Sequence, residues 1–442
     1  LSPRVLLDGA RPDQRAAGVM NGLVVLSIAL LSALMPTSAL PATAPDLPPE
    51  VQVFAALRSN PAVSAADEHI EAQEARARRL GAGPYEWTLG LGEQNRRVRS
   101  TAEGRYTEWD VGLERTVRLP GKRDLDQQLG AAGIATARVG RGEALHEAGR
   151  SLLAMWFDWL REESAVVQWR HQRDNLMQQA RVLGRRVELG DAPRLERLQA
   201  DAALAQAAAQ LSQAEGRARV AAERLRRHHP LIALPVAVPE MPPDAVEGRA
   251  DEWIETIVQH NHELGVARAE SARARIIASR SDAERLPDPS FGIRLSRERS
   301  GEERLLGISL SVPLPGEGRR ADSDAALADA RARTHREAGV QRRVEAEAAA
   351  LFRHAVAARS AWLDQRIAVE ALARSADLTE RAWQLGEGRL AETLAARRLA
   401  HEAQLAAQSA RLDAREAYWR LMLDAHRLWA LDEDAPPGHH PP

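Results

Sequence analysis

Two short segments of the chain alternate apolar residues with polar residues or glycine. The apolar positions are Leu89, Leu91, Trp109, Val111 and Leu113 in the first segment, and Phe291, Ile293, Leu295, Leu306, Ile308 and Leu310 in the second. A polar turn divides each segment in two, "RSTAEGR" in the first and "RSGEER" in the second. Alternation with a period of two residues predicts strands with one apolar face. The pattern therefore predicts four strands, arranged as two β-hairpins.

Each predicted hairpin leads into a long stretch rich in Ala, Arg and Glu, and the stretch from Lys122 to Leu189 contains no Pro. Apolar residues there recur every seven residues in two seams: Leu145, Leu152, Trp159, Val166, Ala180 and Val187, and Ala148, Met155, Trp169, Leu176 and Leu183. A seven-residue beat is typical of a coiled coil, and such a helix would be roughly 100 Å long. The equivalent seam of the second half is poorer in large residues, which predicts packing against more than one neighbour.

Glycines mark the ends of both long helices. Gly190 and Gly386 can adopt the left-handed conformation that ends a helix. Asp191 is predicted to cap the helix that follows, and Glu387 stands at the equivalent place as a weaker cap. Each long helix is therefore expected to reverse at a tight turn, with a second helix running back. Near the start of the chain, Asn60 is predicted to cap a helix that begins with Pro61.

The chain contains an internal repeat. The stretch that starts at Trp156 aligns without gaps to the one that starts at Phe352, and the Leu-Pro-Gly turns also match. These matches predict two tandem units, 50–230 and 250–430, joined by a Pro-rich linker at 231–249. Each unit has the order helix, β-hairpin, long helix, helix. The predicted fold class is mainly α with a small β part.

Residues 1–44 have the layout of a signal peptide. Arg11 and Arg15 precede an apolar run, and Ala42-Thr43-Ala44 is an A-x-A cleavage site. No other apolar run reaches about 18 residues, so a mature chain in a membrane would have to cross it by strands. There is no Cys, which excludes disulfides and a lipid anchor on Cys. Residues 431–442 are expected to form a disordered tail.

Composition and motifs narrow the function further. A net charge of −2 gives no field that would favour nucleic acid. No G-x-S-x-G, P-loop or nucleotide fingerprint is present, so we expect neither an enzyme nor a cofactor. The candidate imidazole ligands are His228-His229, His260 with His262, and His439-His440, but none of these sets offers three ligands at convincing spacing. No metal site is predicted.

Four strands cannot close a barrel, and an open sheet edge is not tolerated in lipid. Two interpretations follow: the strands form a soluble β-sandwich, or several chains share one barrel. Strands of about ten residues with aromatic residues near their ends suit an outer-membrane barrel. The candidate membrane girdle is Tyr85, Trp87, Tyr106, Trp109 and Phe291. The opposite face carries Gly, Ser, Thr and charged residues, which suits a wet lumen.

At this point the chain resembles the TolC-type outer-membrane efflux proteins, over about residues 50–430. "LPGKR" after the second strand and "SLSVPLPGEGRR" after the fourth are similar to the CzcC-like heavy-metal branch. The resemblance implies a homotrimer that has one twelve-stranded β-barrel and a long coiled-coil α-barrel across the periplasm. It also implies contact with outer-membrane lipid, and as partners a periplasmic adaptor protein and an inner-membrane pump of the RND type. In this interpretation Pro120-Gly121 and Pro315-Gly316 mark the passage from barrel to tunnel.

The resemblance also implies roles for the ends of the helical hairpins. The family pattern G-x-x-x-x-L-x-x-L meets the adaptor, and its counterparts here are Gly190, Leu195 and Leu198, and Gly386, Leu390 and Leu394. The second copy has Ala391 at the first Leu position. Asp191 and Glu387 flank the two turns.

Glu196 and Glu392 occupy the same place in the two repeats and would form a ring of carboxylates at the periplasmic entrance. The alternative is that each is a solvated Glu that suits the dipole of a helix N-terminus. Two rival functions also stay open. One is a duct for drugs or for type I protein secretion, and the other is a periplasmic coiled-coil adaptor or scaffold outside the membrane.

Overall fold

The computed structural model describes residues 44–99, 104–429 and 431. The predicted signal peptide, the tip of the first β-hairpin and nearly all of the predicted tail, including His439 and His440, lie outside these residues. The helices are α1 (Glu50–Arg58), α2 (Pro61–Ala82), α3 (Lys122–Glu188), α4 (Arg194–His228), α5 (Ala250–His260), α6 (His262–Ala283), α7 (Glu317–Gln384) and α8 (Leu390–Asp424). The strands are β1 (Thr88–Val98), β2 (Gly104–Thr116), β3 (Ser290–Glu298) and β4 (Glu303–Ser311).

The order helix, helix, two strands, long helix, helix occurs twice along these residues. The long helices α3 and α7 have 67 and 68 residues, and the return helices α4 and α8 have 35 each. The prediction of a mainly helical chain with a small β part is confirmed. The four strands form one antiparallel sheet in the order β1-β2-β3-β4, so the two hairpins join through β2 and β3.

Asparagine caps start two of the shorter helices. The Asn60 side chain accepts a hydrogen bond from the Ala62 N–H at 2.9 Å, and Pro61 is the first residue of α2, as predicted. Asn261 accepts from the Leu264 N–H at 2.8 Å at the start of α6. Each cap satisfies one of the backbone donors that the first turn of a helix leaves without a partner.

The largest hydrophobic core surrounds the middle of α3. Trp156, Phe157 and Leu160 lie at its centre and are almost completely buried. They are joined by residues from α1, α4 and α8, among them Leu57, Leu225, Leu412 and Leu423. Burying such large side chains contributes roughly 1.5–3 kcal/mol for each residue.

The seams predicted for α3 are mostly buried. Leu145, Leu152, Trp159, Val166 and Leu183 are each less than a tenth exposed. Leu153, Trp156, Phe157 and Leu160 are buried as well, on faces that the seven-residue beat does not include. Because α3 contacts α2, α4, α6 and α8, its middle is enclosed on several sides rather than along one coiled-coil stripe.

The segment between the halves is held against α8. Arg411 donates to the backbone carbonyls of Pro239 and Met241, both at 3.1 Å. Arg415 forms a bidentate pair with the buried carboxylate of Asp46, at 2.5 and 2.6 Å, and also binds Asp244 at 2.6 Å. These contacts fasten the start of the described chain and the Pro-rich segment to the same helix.

Candidate functional site

One face of the sheet is apolar and open to solvent. Residues directly opposite each other on neighbouring strands form apolar rows. One such row consists of Leu89, Leu113, Ile293 and Ile308. The Ile308 side chain is 85% exposed and that of Leu91 is 74% exposed. An exposed apolar surface of this extent marks a contact with lipid or with another protein.

The other face is small and polar. Gly90 pairs with Gly112, and Gly307 lies in the same row on β4. The next row holds Gly92, Asp110 and Ser296, and a Cβ at Gly92 would approach the Asp110 carboxylate to 2.5 Å. Small residues with scattered charges leave this face accessible to water.

Both edges of the sheet are open. β1 pairs only with β2, and β4 pairs only with β3, among the strands that the structure describes. A row of backbone N–H and C=O groups therefore has no partner along each edge. Such an edge favours pairing with a strand from another chain.

The five predicted girdle residues do not share one environment. Trp109 and Phe291 lie on the apolar face, and Trp87, next to the start of β1, is 61% exposed with the Arg115 guanidinium 5.2 Å from its ring. Tyr106 is three residues from Trp109 along β2, so it lies on the opposite, polar face. Tyr85 precedes β1 and donates a hydrogen bond to Asp288 at 2.8 Å. Thus Trp87 and Phe291 lie on the apolar side near one end of the sheet, and Trp109 lies at mid-strand between Glu93 and Arg297.

The first Leu-Pro-Gly turn is anchored by Lys122, the only lysine of the chain. Gly121 has φ 87°, and α3 begins at the next residue. The buried Lys122 ammonium donates to Asp288 at 2.8 Å, to the Leu286 carbonyl at 2.7 Å and to Glu284 at 3.2 Å. These three acceptors belong to the segment between α6 and β3, so the contact links the two halves where strand becomes helix.

A second set of charges surrounds the same turn. Arg118 donates to Asp126 at 2.7 Å and to the carbonyls of Leu80 and Gly81. Arg280 donates to the other oxygen of Asp126 at 2.7 Å. Sequence reasoning missed these pairs, because the partners lie on α2, α3 and α6 and only the fold brings them together.

The second Leu-Pro-Gly turn differs from the first. Gly316 has φ −125° and ψ 177°, an extended conformation that any residue adopts. No atom outside the neighbouring residues lies within 4 Å of a Cβ built there. Of the two turn glycines, Gly121 therefore has a conformation that favours glycine and Gly316 does not.

The ends of the helical hairpins have the predicted glycines in the left-handed conformation. Gly190 has φ 83° and Gly386 has φ 82°. At both ends the residue after the glycine also donates a backbone hydrogen bond to the helix that has just ended. The Asp191 N–H donates to the Arg186 carbonyl at 2.7 Å, and the Glu387 N–H donates to the Ala382 carbonyl at 2.9 Å. This is the Schellman arrangement, which satisfies the last carbonyls of a helix.

The predicted capping role of Asp191 is wrong. The N-cap of α4 is Pro193, which has no side-chain cap hydrogen bond, and α4 begins at Arg194. Asp191 lies two residues before this N-cap, which is too early in the chain to cap α4. Its N–H instead donates to the end of α3.

The leucines at the two hairpin ends also differ. Leu195 and Leu198 are 64% and 65% exposed, whereas Leu390 is only 3% exposed and packs against Ala180, Leu183 and Ala200. Leu394 is partly buried beside that cluster. The hairpin end at the start of α4 is therefore the more apolar of the two.

Glu196 and Glu392 both lie in the first turn of a return helix, α4 and α8 respectively. Glu196 is half-buried and Glu392 is exposed. Neither carboxylate forms an ion pair with any residue in the described part of the chain. Both can therefore act on ions or on a neighbouring chain.

Four histidines converge away from the hairpin ends. His260 and His262, noted in the sequence as a pair, lie close to His146 of α3 and to His426, which follows α8. The sequence does not indicate this cluster, because His146 and His426 are far along the chain from the pair His260 and His262. Within the described residues, no three His, Asp or Glu side chains are placed so that they hold a metal ion as they stand.

No helix among residues 44–99, 104–429 and 431 combines the length and the apolar character needed to cross a membrane. No protein-family model and no curated protein sequence matches the chain.

Comparison with solved structures places the chain in the class of outer-membrane channel folds. The outer-membrane channel OprN superimposes with a TM-score of 0.73 and 16% identity, over 86% of this chain and 90% of that one. CusC, a protein that forms a transmembrane channel, gives a TM-score of 0.69 and 12% identity over 84% and 91%. The CmeC outer-membrane channel of Campylobacter jejuni gives 0.68 and 13% over 85% and 84%. At these identities the likeness establishes the fold.

Proposed function

We propose that this chain is one subunit of an outer-membrane exit duct in a tripartite efflux system. The single observation that carries the proposal is the open four-stranded sheet with one apolar and one polar face. A sheet whose edges are bare cannot stand alone in lipid, because every backbone group there needs a partner. Three copies that pair β1 of one with β4 of the next would remove all edges and give a barrel of twelve strands.

The faces suit that arrangement. The apolar face would meet the hydrocarbon. Trp87 lies beside the start of β1, and Trp109 lies where the apolar rows give way to Glu93 and Arg297. Aromatic side chains favour such a boundary at the membrane interface. The face of glycine, serine and scattered charge would line a wet lumen. A soluble β-sandwich would instead need a second sheet to cover the apolar face, and the described residues contain no second sheet.

The helices support assembly into a trimer. A stripe of large apolar side chains on α7 is exposed in the single chain, and it consists of Val356, Leu363, Ile367, Leu378 and Leu385. At about 100° per residue these five positions fall within about 60° of one another around the helix. We infer that this α7 stripe packs against a neighbouring subunit in the tunnel wall.

The hairpin ends would form the periplasmic entrance and meet a periplasmic adaptor protein. Leu195 and Leu198 supply exposed apolar contacts for the adaptor, while Glu196 and Glu392 supply carboxylates near the opening. Three subunits would present six such carboxylates, and a ring of acids favours cations. An inner-membrane pump of the RND type would provide the driving force, since the duct itself does no chemistry.

Heavy-metal cations are the proposed cargo. The resemblance of "LPGKR" and "SLSVPLPGEGRR" to the heavy-metal branch supports that choice. Loss of the chain should then lower tolerance to zinc, cobalt or cadmium salts and leave drug tolerance and protein secretion intact. Lowered tolerance to drugs would instead indicate a drug-efflux duct, and loss of a secreted protein would indicate a duct for type I secretion.

The duct itself is tested on the purified full-length protein. In detergent we expect a particle with the mass of three chains, and in a planar lipid bilayer a steady ion conductance. The measurements are native mass spectrometry and single-channel recording. A monomer that remains soluble without detergent and gives no conductance would favour the periplasmic scaffold instead.

A further inference from the structure

The four histidines meet where the first half of the chain contacts the second. His146 belongs to α3, His260 ends α5, His262 begins α6, and His426 follows the end of α8. The ring of His426 lies 5.1 Å from that of His146, 5.0 Å from that of His262 and 5.5 Å from that of His260, measured between centroids. The rings of His146 and His262 are 6.0 Å apart. We name this group the four-histidine cluster.

We propose that the four-histidine cluster binds a divalent transition-metal ion of the zinc class. Imidazole is a favoured ligand for zinc, copper and nickel. With a metal–nitrogen bond of about 2.0–2.1 Å, a ring centroid lies roughly 3.2 Å from the ion, so two rings in a tetrahedral site are roughly 5.2 Å apart. The separations of 5.0 Å for His262 and His426 and of 5.1 Å for His146 and His426 match that value, and the 6.0 Å between His146 and His262 is longer. The rings of His146 and His426 are stacked with 18° between their planes, so one of them has to turn before both can ligate one ion.

His146 has the hydrogen bond that orients a metal ligand. Its Nε2 lies 3.1 Å from the Leu423 carbonyl oxygen, and since a carbonyl only accepts, Nε2 carries the proton. The lone pair of the neutral ring is then on Nδ1. A ligating histidine usually donates its other N–H to such a carbonyl, which fixes the tautomer and the ring orientation.

The backbone at His426 gives an independent argument. This residue occupies the position after the C-cap of α8 with φ 56°, where glycine is the usual choice. A side chain other than glycine is disfavoured in that conformation, and such strain clusters at functional sites. The imidazole of His426 is the one ring of the cluster that contacts the other three, which puts the strained residue at the centre of the proposed site.

The cluster packs closely on α3 and is open to solvent on one side. Gly142 of α3 lies under the His262 ring, and a Cβ on it would approach that ring to 2.7 Å. His146 is buried, His262 and His426 are half-buried, and His260 is exposed, so the cluster opens to solvent on the His260 side. Arg150, one turn along α3 from His146, is paired with Asp424 at 2.9 Å, which limits its repulsion of a dication.

Binding must be accompanied by side-chain rotation. The ring nitrogens do not yet surround one point, since no three ligating groups of the described residues are placed to hold an ion. Turning the rings of His262 and His426 about their side-chain torsions changes no backbone atom. The ion would then tie α3, α6 and the end of α8 together, across the contact between the halves.

The test is zinc binding to the purified full-length protein by isothermal titration calorimetry, with His439 and His440 both replaced by Ala in every sample to remove the tail sites. We expect one zinc ion for each chain. His426→Asn, which keeps a residue that tolerates the left-handed conformation, should weaken the affinity at least ~10-fold. His335→Asn, at an exposed position on α7, is the matched control and should leave the affinity unchanged. Equal zinc affinity in the His426→Asn variant and its parent would overturn the proposal.

A spectroscopic measurement guards against a variant that merely misfolds. Cobalt(II) in place of zinc should give the visible absorption of a tetrahedral imidazole site, and Gly142→Ala should lower it by displacing the His262 ring. An unchanged cobalt spectrum in Gly142→Ala, with the same unfolding midpoint, would count against the cluster. These readouts need neither membrane insertion nor a pump, so their failure and the failure of the proposed duct are distinguishable.

Discussion

At the scale of single residues, the two Leu-Pro-Gly turns form a natural matched pair. Gly121 has φ 87° and Gly316 has φ −125°, although both stand at the same place in their halves. Replacing Gly121 by Ala should cost about 1–2 kcal/mol of stability, because a side chain is disfavoured in the left-handed region. Gly316→Ala should be nearly neutral. Denaturant unfolding of the two variants measures the difference, and equal losses would contradict the assigned backbone conformations.

His401 predicts how stability depends on pH. Its ring is buried against Trp169, its Nε2 has no hydrogen-bond partner within the described structure, and burial lowers its pKa to about 4. The unfolded state therefore takes up a proton near pH 6.5 while the folded state does not. Stability is complete above about pH 6.5 and falls as the pH drops from there toward about 4.

Replacing His401 by Phe should reduce that acid sensitivity. The apolar ring removes a buried nitrogen without a partner, so we also expect a gain of about 1 kcal/mol at pH 7.5. The measurement is the urea midpoint of wild type and variant at several pH values between 5 and 8. His171→Phe, at an exposed site on α3, serves as the control. A His401→Phe variant with the same pH profile as wild type would show that His401 does not titrate in this range.

At the scale of elements, the α7 stripe predicts where subunits meet. Ile367→Glu would put a charge in the middle of an apolar contact, and we expect the trimer to dissociate or to lose its heat resistance on a gel. Ala361→Glu adds the same carboxylate to an exposed site about 120° around the helix from Ile367 and about 100° from the edge of the stripe, and the trimer should survive. If both variants stay trimeric, the stripe faces something other than a subunit.

The elements also show what the sequence could predict. Period-two alternation and the seven-residue beat located the strands and α3, because each pattern follows directly from burying one face. The junction around Lys122 was beyond such reasoning. Its acceptors Glu284, Leu286 and Asp288 lie more than 160 residues away, and nothing local marks them as partners.

The same limit applies to the candidate sites. Gly190 and Gly386 were found because a helix end needs a left-handed residue. The burial of Leu390 was not, since Leu390 and Leu195 look equivalent in the sequence and only the packing of α8 against α3 and α4 separates them. The four-histidine cluster was missed because no periodicity indicates that α3, which holds His146, contacts the end of α8, which His426 follows.

At the scale of the whole molecule, the entrance carboxylates predict ion selectivity. If Glu196 and Glu392 ring the opening of a trimer, replacing both by Gln removes six charges and should reduce the preference for cations over anions. The reversal potential of the bilayer conductance in a salt gradient measures this preference. Replacing Glu387 by Gln is a useful comparison, because that residue flanks a turn outside the return helix. A reversal potential that is unchanged in the double variant would remove both residues from the pore.

The matched lengths of the helical hairpins restrict how such a molecule can evolve. Since α3 and α7 differ by one residue and α4 and α8 are equal, the two hairpin ends of a subunit are set to the same reach. A seven-residue insertion in α3 and α4 alone would push one end about 10 Å beyond the other. A protein of this fold that had to bridge a wider envelope would therefore have to lengthen all four helices by equal amounts. An insertion in one hairpin would need a matching insertion in the other.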